Sequence, residues 1–139
     1  MKTAFCTAVG ALGALIAGAF GGWDVSLQCL VWFMAIDYAS GLIVAGVFKK
    51  SKKTESGTLE SRAGYKGLCR KAAVLALVLM AHYLDLVAGI NFARDAVCIG
   101  FIANEGLSIL ENVGLMGVTY PDAIKKALDI LVQKEGTNG

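Results

Sequence analysis

The 139-residue sequence is poor in charge, proline and histidine: charged side chains make up 17%, Pro121 is the one proline, and His82 the one histidine. Soluble domains typically carry about 25% charged residues, so this fraction, beside 56% hydrophobic residues, argues against a soluble globular chain. The same apolar excess excludes a disordered chain, and a single proline excludes a collagen-like one. The four cysteines, Cys6, Cys29, Cys69 and Cys98, form neither Cys-x-x-Cys nor Cys/His spacings, which removes the usual zinc and redox readings. They read as small apolar fillers. No nucleophile motif or oxyanion hole accompanies His82, so no hydrolytic triad is expected. Neither an enzyme nor a cofactor or metal site is implied.

Charge is absent chiefly from four long runs. A membrane-spanning helix needs about 20 largely apolar residues, and spans are expected over about 4–22, 25–48, 72–90 and 96–118. The fold class is therefore all-α: a four-span membrane domain over 1–118, followed by a short amphipathic helix and tail over 119–139. Thr119 is placed to cap that last helix, with Pro121 in its first turn. Its stripe of Ile124, Ala127, Leu128 and Leu131 is suited to lying on the membrane or on a partner. The first run, with Lys2 before it and Ala17-Gly18-Ala19 near its end, also has the outline of a weak signal peptide. A lone basic residue ahead of the run favours a retained span.

The basic residues set the orientation. The linker 49–71 holds Lys49, Lys50, Lys52, Lys53, Arg62, Lys66, Arg70 and Lys71, and with Lys2, Lys125, Lys126 and Lys134 it places twelve of the 13 basic residues on one side. The positive-inside rule makes that side cytoplasmic, with both termini inside. The linker's simplest role is topological, meeting anionic lipid. With Tyr65 its only aromatic residue and a net charge of +2, it does not fit nucleic acid.

Polar groups inside the spans are the candidates for function. Gly10, Ala14, Gly18 and Gly22 make a small-residue ridge on the first span, suited to close helix approach within the chain or between copies. Asp37 sits near the middle of the second span, with no Lys or Arg in any span to pair with it. It either hydrogen-bonds at a helix interface or faces water. His82 and Asp85, three residues apart on the third span, are placed to meet, as a structural pair or a proton relay. On the fourth, Asn104, Ser108, Glu111 and Asn112 share a face bordered by Glu105. Its ten strongly apolar residues return about 3–6 kcal/mol on insertion, while each central carboxylate costs about 2.5–3.5 kcal/mol. This span is marginal alone and depends on its neighbours.

Several short strings occur in order from Gly22 onward: Trp23-Asp24, Asp37-Tyr38-x-Ser40-Gly41, Ser61-x-x-Gly64-x-x-Gly67-x-x-Arg70-Lys71, Asn104-Glu105-x-x-Ser108-Ile109-x-Glu111-Asn112, and Gly117-Val118 before Pro121. In these the sequence resembles the toxin-secretion/phage-lysis holins, found in phages of Gram-positive hosts and in clostridial toxin loci. The resemblance implies a protein that accumulates in the host cytoplasmic membrane, associates with itself, and opens lesions that release an endolysin or a toxin. No direct contact with that enzyme or toxin is implied. In growing assemblies the face of Asn104, Glu105, Glu111 and Asn112 would then turn toward a water-filled opening. A small proton-coupled transporter or ion channel is the competing reading, since intramembrane carboxylates suit it equally.

Overall fold

In the computed structural model, which describes residues 1–138 and side chains through Lys134, every regular element is helical. The elements are α1 (Lys2–Ala19), α2 (Val25–Ile43, prolonged by a π-helical turn Val44–Phe48), α3 (Ser61–Ala88), α4 (Ala93–Leu115) and α5 (Asp122–Asn138). The first four are long and apolar enough to cross a membrane. The expected linker 49–71 is irregular only as far as Glu60, because α3 begins at Ser61 and carries Arg62, Lys66, Arg70 and Lys71 on helical turns.

Heptad spacing builds a three-helix bundle. On α2 the buried positions Leu27, Leu30, Met34, Asp37 and Val44 recur at intervals of three and four, with Gly41 in step. On α3 the half-buried Lys71 and Val74 and the buried Val78 and Ala81 keep the same spacing, and on α4 the buried Cys98, Ile102 and Glu105 do so, with Asn112 one heptad beyond Glu105. This is the seam of helices that wind around one another. Near the α1–α2 turn the seam is apolar, formed by Leu27, Leu30, Met34, Val78, Cys98 and Ile102. Toward the linker the same register carries Asp37, Lys71, Glu105 and Asn112.

The small-residue ridge of α1 finds no partner within the chain. No residue of α1 is buried, and a Cβ added at Gly10, Gly18 or Gly22 would meet nothing within 4 Å. An apolar cleft of about 480 Å³ separates α1 from the bundle, lined by Gly13, Ala17, Phe20, Leu27, Val31 and Leu75. Of the two packing modes open to the ridge, the intramolecular one is absent among the described residues.

The last helix differs from its expected surface position. It begins after Pro121, not at a Thr119 cap, and folds back along α4 with Leu128 buried. The notch it fills exists because Gly106 has no side chain: a Cβ there would stand 2.5 Å from Leu128 Cδ2 and 3.3 Å from Phe33 Cε2. Gly106 lies nine residues before the end of α4, about 13 Å along its axis. Gly106→Phe should evict α5, seen as faster tryptic cleavage at Lys125 and Lys126 in detergent; unchanged cleavage would mean the notch does not hold the helix.

Candidate functional site

Three helices meet at the polar half of the seam. Lys71 Nζ donates to Asp37 Oδ2 at 2.8 Å and to Glu105 Oε2 at 2.8 Å, tying α3 to both α2 and α4. Asn112 Nδ2 donates to Asp37 Oδ1 at 3.0 Å, to the Asp37 carbonyl at 3.2 Å and to Ser40 Oγ at 2.9 Å. Ser40 Oγ in turn donates to the Asp37 carbonyl at 3.1 Å. The Asp37 and Glu105 side chains are 5% and 7% exposed and that of Lys71 15%, so two carboxylates share one ammonium almost out of solvent. No buried side-chain nitrogen or oxygen among the described residues lacks a hydrogen-bond partner. A network satisfied this fully is strong while closed, and costly once any member is lost.

Glycines line the approach, with room at each for no more than a small side chain in ordinary contact. A Cβ on Gly41 would stand 3.7 Å from Asn112 Nδ2, and one on Gly64 would stand 3.5 Å from the Tyr38 hydroxyl oxygen. That hydroxyl donates to the Gly64 carbonyl at 3.3 Å, a second tie between α2 and α3. Three of the short strings noted along the sequence, those around Asp37, Gly64 to Lys71, and Glu105 to Asn112, therefore meet in one three-helix junction. A cavity of about 340 Å³ runs from the linker to this junction, with Ser51, Leu59 and Glu60 at one end and Asp37, Asn104 and Glu105 at the other.

Of the residues expected to share the polar face of α4, only some enter the junction. Glu105 and Asn112 are buried in it, and Ser108 is half-buried on the cavity wall. Asn104 is exposed, and Glu111 points outward, 54% exposed and 3.2 Å from Lys52 Nζ. The stripe splits because the bundle's seam follows Glu105 and Asn112, one heptad apart, and leaves Asn104 and Glu111 to its sides. Asp37 does have a basic partner in a helix: Lys71, which hydropathy alone assigns to the linker. The 3-4 spacing of Lys71 with Val74, Val78 and Ala81 is the signal that places it in the seam.

A second polar clasp closes the opposite end. Arg94, 6% exposed, aims its guanidinium at the α1–α2 turn. Nη1 and Nη2 donate to the two Asp24 oxygens at 2.9 and 3.0 Å, Nη2 also reaches the Gly22 carbonyl at 3.3 Å, and Nε donates to the Phe20 carbonyl. Asp24 also caps α2 through Leu27 N at 3.0 Å. The Arg94 guanidinium holds the Asp24 carboxyl below its ordinary pKa. Gly21, at φ +89°, is required here, because a Cβ would stand 2.8 Å from both Arg94 Nε and His82 Nδ1.

The expected His82–Asp85 pair is not a hydrogen bond. Asp85 instead accepts from the free backbone N–H groups of Ala93 and Arg94 at 2.9 and 3.0 Å, capping α4 from the preceding helix. His82 sets its ring edge-on to Tyr83, 5.5 Å between centroids. Unsatisfied N–H groups at a helix start attract a carboxylate, and that outcompetes the imidazole one turn away. Cys98 is fully buried in the apolar seam, whereas Cys6 and Cys69 are exposed. No group of metal-ligating side chains occurs among the described residues.

Comparison with known proteins places this architecture among relatives. The model of the bacteriophage holin family matches residues 14–133. An uncharacterized protein of Listeria monocytogenes is 40% identical over 125 residues, covering 89% of this chain and 84% of its own. An uncharacterized 14.9 kDa protein from the nagH 3' region of Clostridium perfringens is 36% identical over 126 residues, 89% of each chain. A probable holin of Bacillus phage phi105 is 34% identical over 106 residues, 76% of this chain and 73% of the phage protein. No solved structure matches the chain.

Proposed function

The chain belongs to the bacteriophage holin family, and on that premise we propose that it accumulates in the host cytoplasmic membrane, associates with further copies of itself and opens lesions that let an endolysin or toxin out. It is a multi-pass membrane protein of a family that is not one of enzymes. The segregation of basic residues supports placing both termini in the cytoplasm.

The observation that carries the reading is the Lys71-centred junction. Its charges are tolerated in a closed bundle because each is paired, and they are costly in lipid if the helices part. Water is the medium that stabilises them once separated. A bundle of this kind has a closed form stable enough to accumulate and an open form favoured only around an aqueous lumen, which is the behaviour lysis timing needs. The unpartnered α1 supports its use between copies.

The same cavity, leading to paired carboxylates, would also serve a small proton-coupled transporter or ion channel. Co-expression with a muralytic enzyme that has no export route of its own separates the two. Abrupt lysis only when both are present is expected; ion leakage with the enzyme retained inside would establish the transporter or channel instead. Within that assay Glu105→Leu should shift the lysis time, whereas Glu111→Leu, altering an exposed pair, should leave it near wild type.

A further inference from the structure

The linker-side end of α3 carries a second polar pocket, which shares Lys53, Glu60, Ala63 and Arg70 with the outer end of the cavity leading to the Lys71 junction. It encloses about 180 Å³ and is lined by Lys53, Glu60, Arg62, Ala63, Lys66 and Arg70. Arg62, Lys66 and Arg70 follow one another every fourth residue and so share one face of the helix. Lys53 closes the pocket from the loop. The loop is folded against this end by Gly57, at φ +77°, whose missing side chain lets the Ser51 amide reach its carbonyl at 3.0 Å.

None of the four cations is paired elsewhere among the described residues. No carboxylate lies within ion-pair distance of Lys53, Arg62, Lys66 or Arg70, and none of their side chains makes a hydrogen bond among the described residues. Glu60, the one acid on the wall, accepts from Ser56 Oγ at 3.4 Å. The four cations are exposed and solvated, yet together they set up a positive potential over one small space that favours an anion there. The first N–H groups of α3 have no side-chain cap, and their partial positive charge adds to the same end.

Depth along α3 identifies the anion. Counting from Ala88, Arg70 lies about 27 Å along the helix, Lys66 about 33 Å and Arg62 about 39 Å. The hydrocarbon layer is about 30 Å thick, with headgroups beyond it. The three cations therefore run from the hydrocarbon boundary through the phosphate plane.

We propose that this pocket binds the phosphate of an anionic phospholipid headgroup, clamped between the Arg62/Lys66/Arg70 face of α3 and Lys53. The site depends on the membrane reading of α3 but not on lysis, so failure of one leaves the other standing. Guanidinium groups suit phosphate because they donate in pairs, and a lipid held here would fix the linker against the bilayer.

The test is native mass spectrometry of the full chain in neutral detergent, titrated with phosphatidylglycerol or phosphatidylcholine. Retention of one phosphatidylglycerol per chain, well above phosphatidylcholine, is expected. Arg62→Gln/Lys66→Gln/Arg70→Gln should weaken retention by at least about tenfold, whereas Lys2→Gln/Lys50→Gln/Lys126→Gln, with the same loss of charge, should not. The single Lys66→Glu, on an exposed position, should act in the same direction with helix content by circular dichroism unchanged. Equal loss in the charge-matched control, equal retention of phosphatidylcholine, or full displacement by millimolar inorganic phosphate would each overturn the proposal, the last by making the ligand a soluble phosphate.

Discussion

Lys71→Met should shorten the time to lysis sharply and lower the stability of the purified chain, because it removes the one cation between Asp37 and Glu105. The two carboxylates would then face each other in a site where both side chains are less than a tenth exposed. Breaking a buried pair by deleting one partner typically costs about 3–5 kcal/mol. The cost falls on the closed bundle and not on an open form whose charges are in water. The sign reverses if all three charges are removed together. Replacing a buried ionic cluster by neutral groups of similar size is often neutral or stabilising, so Asp37→Asn/Lys71→Met/Glu105→Gln should restore heat stability in detergent and delay lysis beyond wild type. A triple variant as unstable as Lys71→Met would show that packing around the junction, and not its charge, sets the balance.

Arg94→Gln should have the next largest effect. The guanidinium is nearly fully buried and serves three separate acceptors in the α1–α2 turn, namely Asp24 and the carbonyls of Phe20 and Gly22. Hydrogen bonds to charged groups contribute about 1.5–3 kcal/mol each. Because the Asp24 side chain is half exposed, water takes up part of the loss, and a net destabilisation of about 2–4 kcal/mol is expected. Arg94→Lys should recover little, since an ammonium lacks the planar fork that grips both Asp24 oxygens. The thermal midpoint of the two variants in the same detergent decides this: a Lys variant as stable as wild type would reduce the clasp to simple charge attraction.

Much of this fold was legible in the residues. The four apolar runs and the amphipathic α5 follow from hydropathy and periodicity that act locally, although the Thr119 cap expected for α5 does not form. The buried polar residues of the junction were also visible as motifs, because Asp37, Ser40, Glu105 and Asn112 are unusual neighbours for lipid. What hydropathy hid was Lys71. A window average counts a lysine against a span, yet a lysine whose charge meets two carboxylates from neighbouring helices belongs inside one. Asp85 and His82 failed for a related reason. Spacing along one helix shows which groups can meet, but the N–H groups of α4 lie in another element and compete for the same carboxylate. The position of α5 was hidden because its receptor is an absence, the missing side chain of Gly106.

The two ends of the bundle are fastened very unequally. At the turn end a buried arginine grips the chain through several hydrogen bonds, while beyond the Lys71 junction the linker end is held, among the described residues, only by the Tyr38–Gly64 hydrogen bond and the exposed Lys52–Glu111 pair. Mechanically this is a pair of tongs with its pivot at Arg94. A splay of about 10° about that pivot would separate neighbouring helices by about 3 Å at the level of Asp37 and about 6 Å at the far end of α2, given 1.5 Å of rise per residue. The first of those gaps is already the width of a water molecule. A small tilt that leaves the pivot untouched is therefore enough to wet Lys71 and its two partners, so the leverage of the fold converts a slight lateral pull into loss of the whole latch.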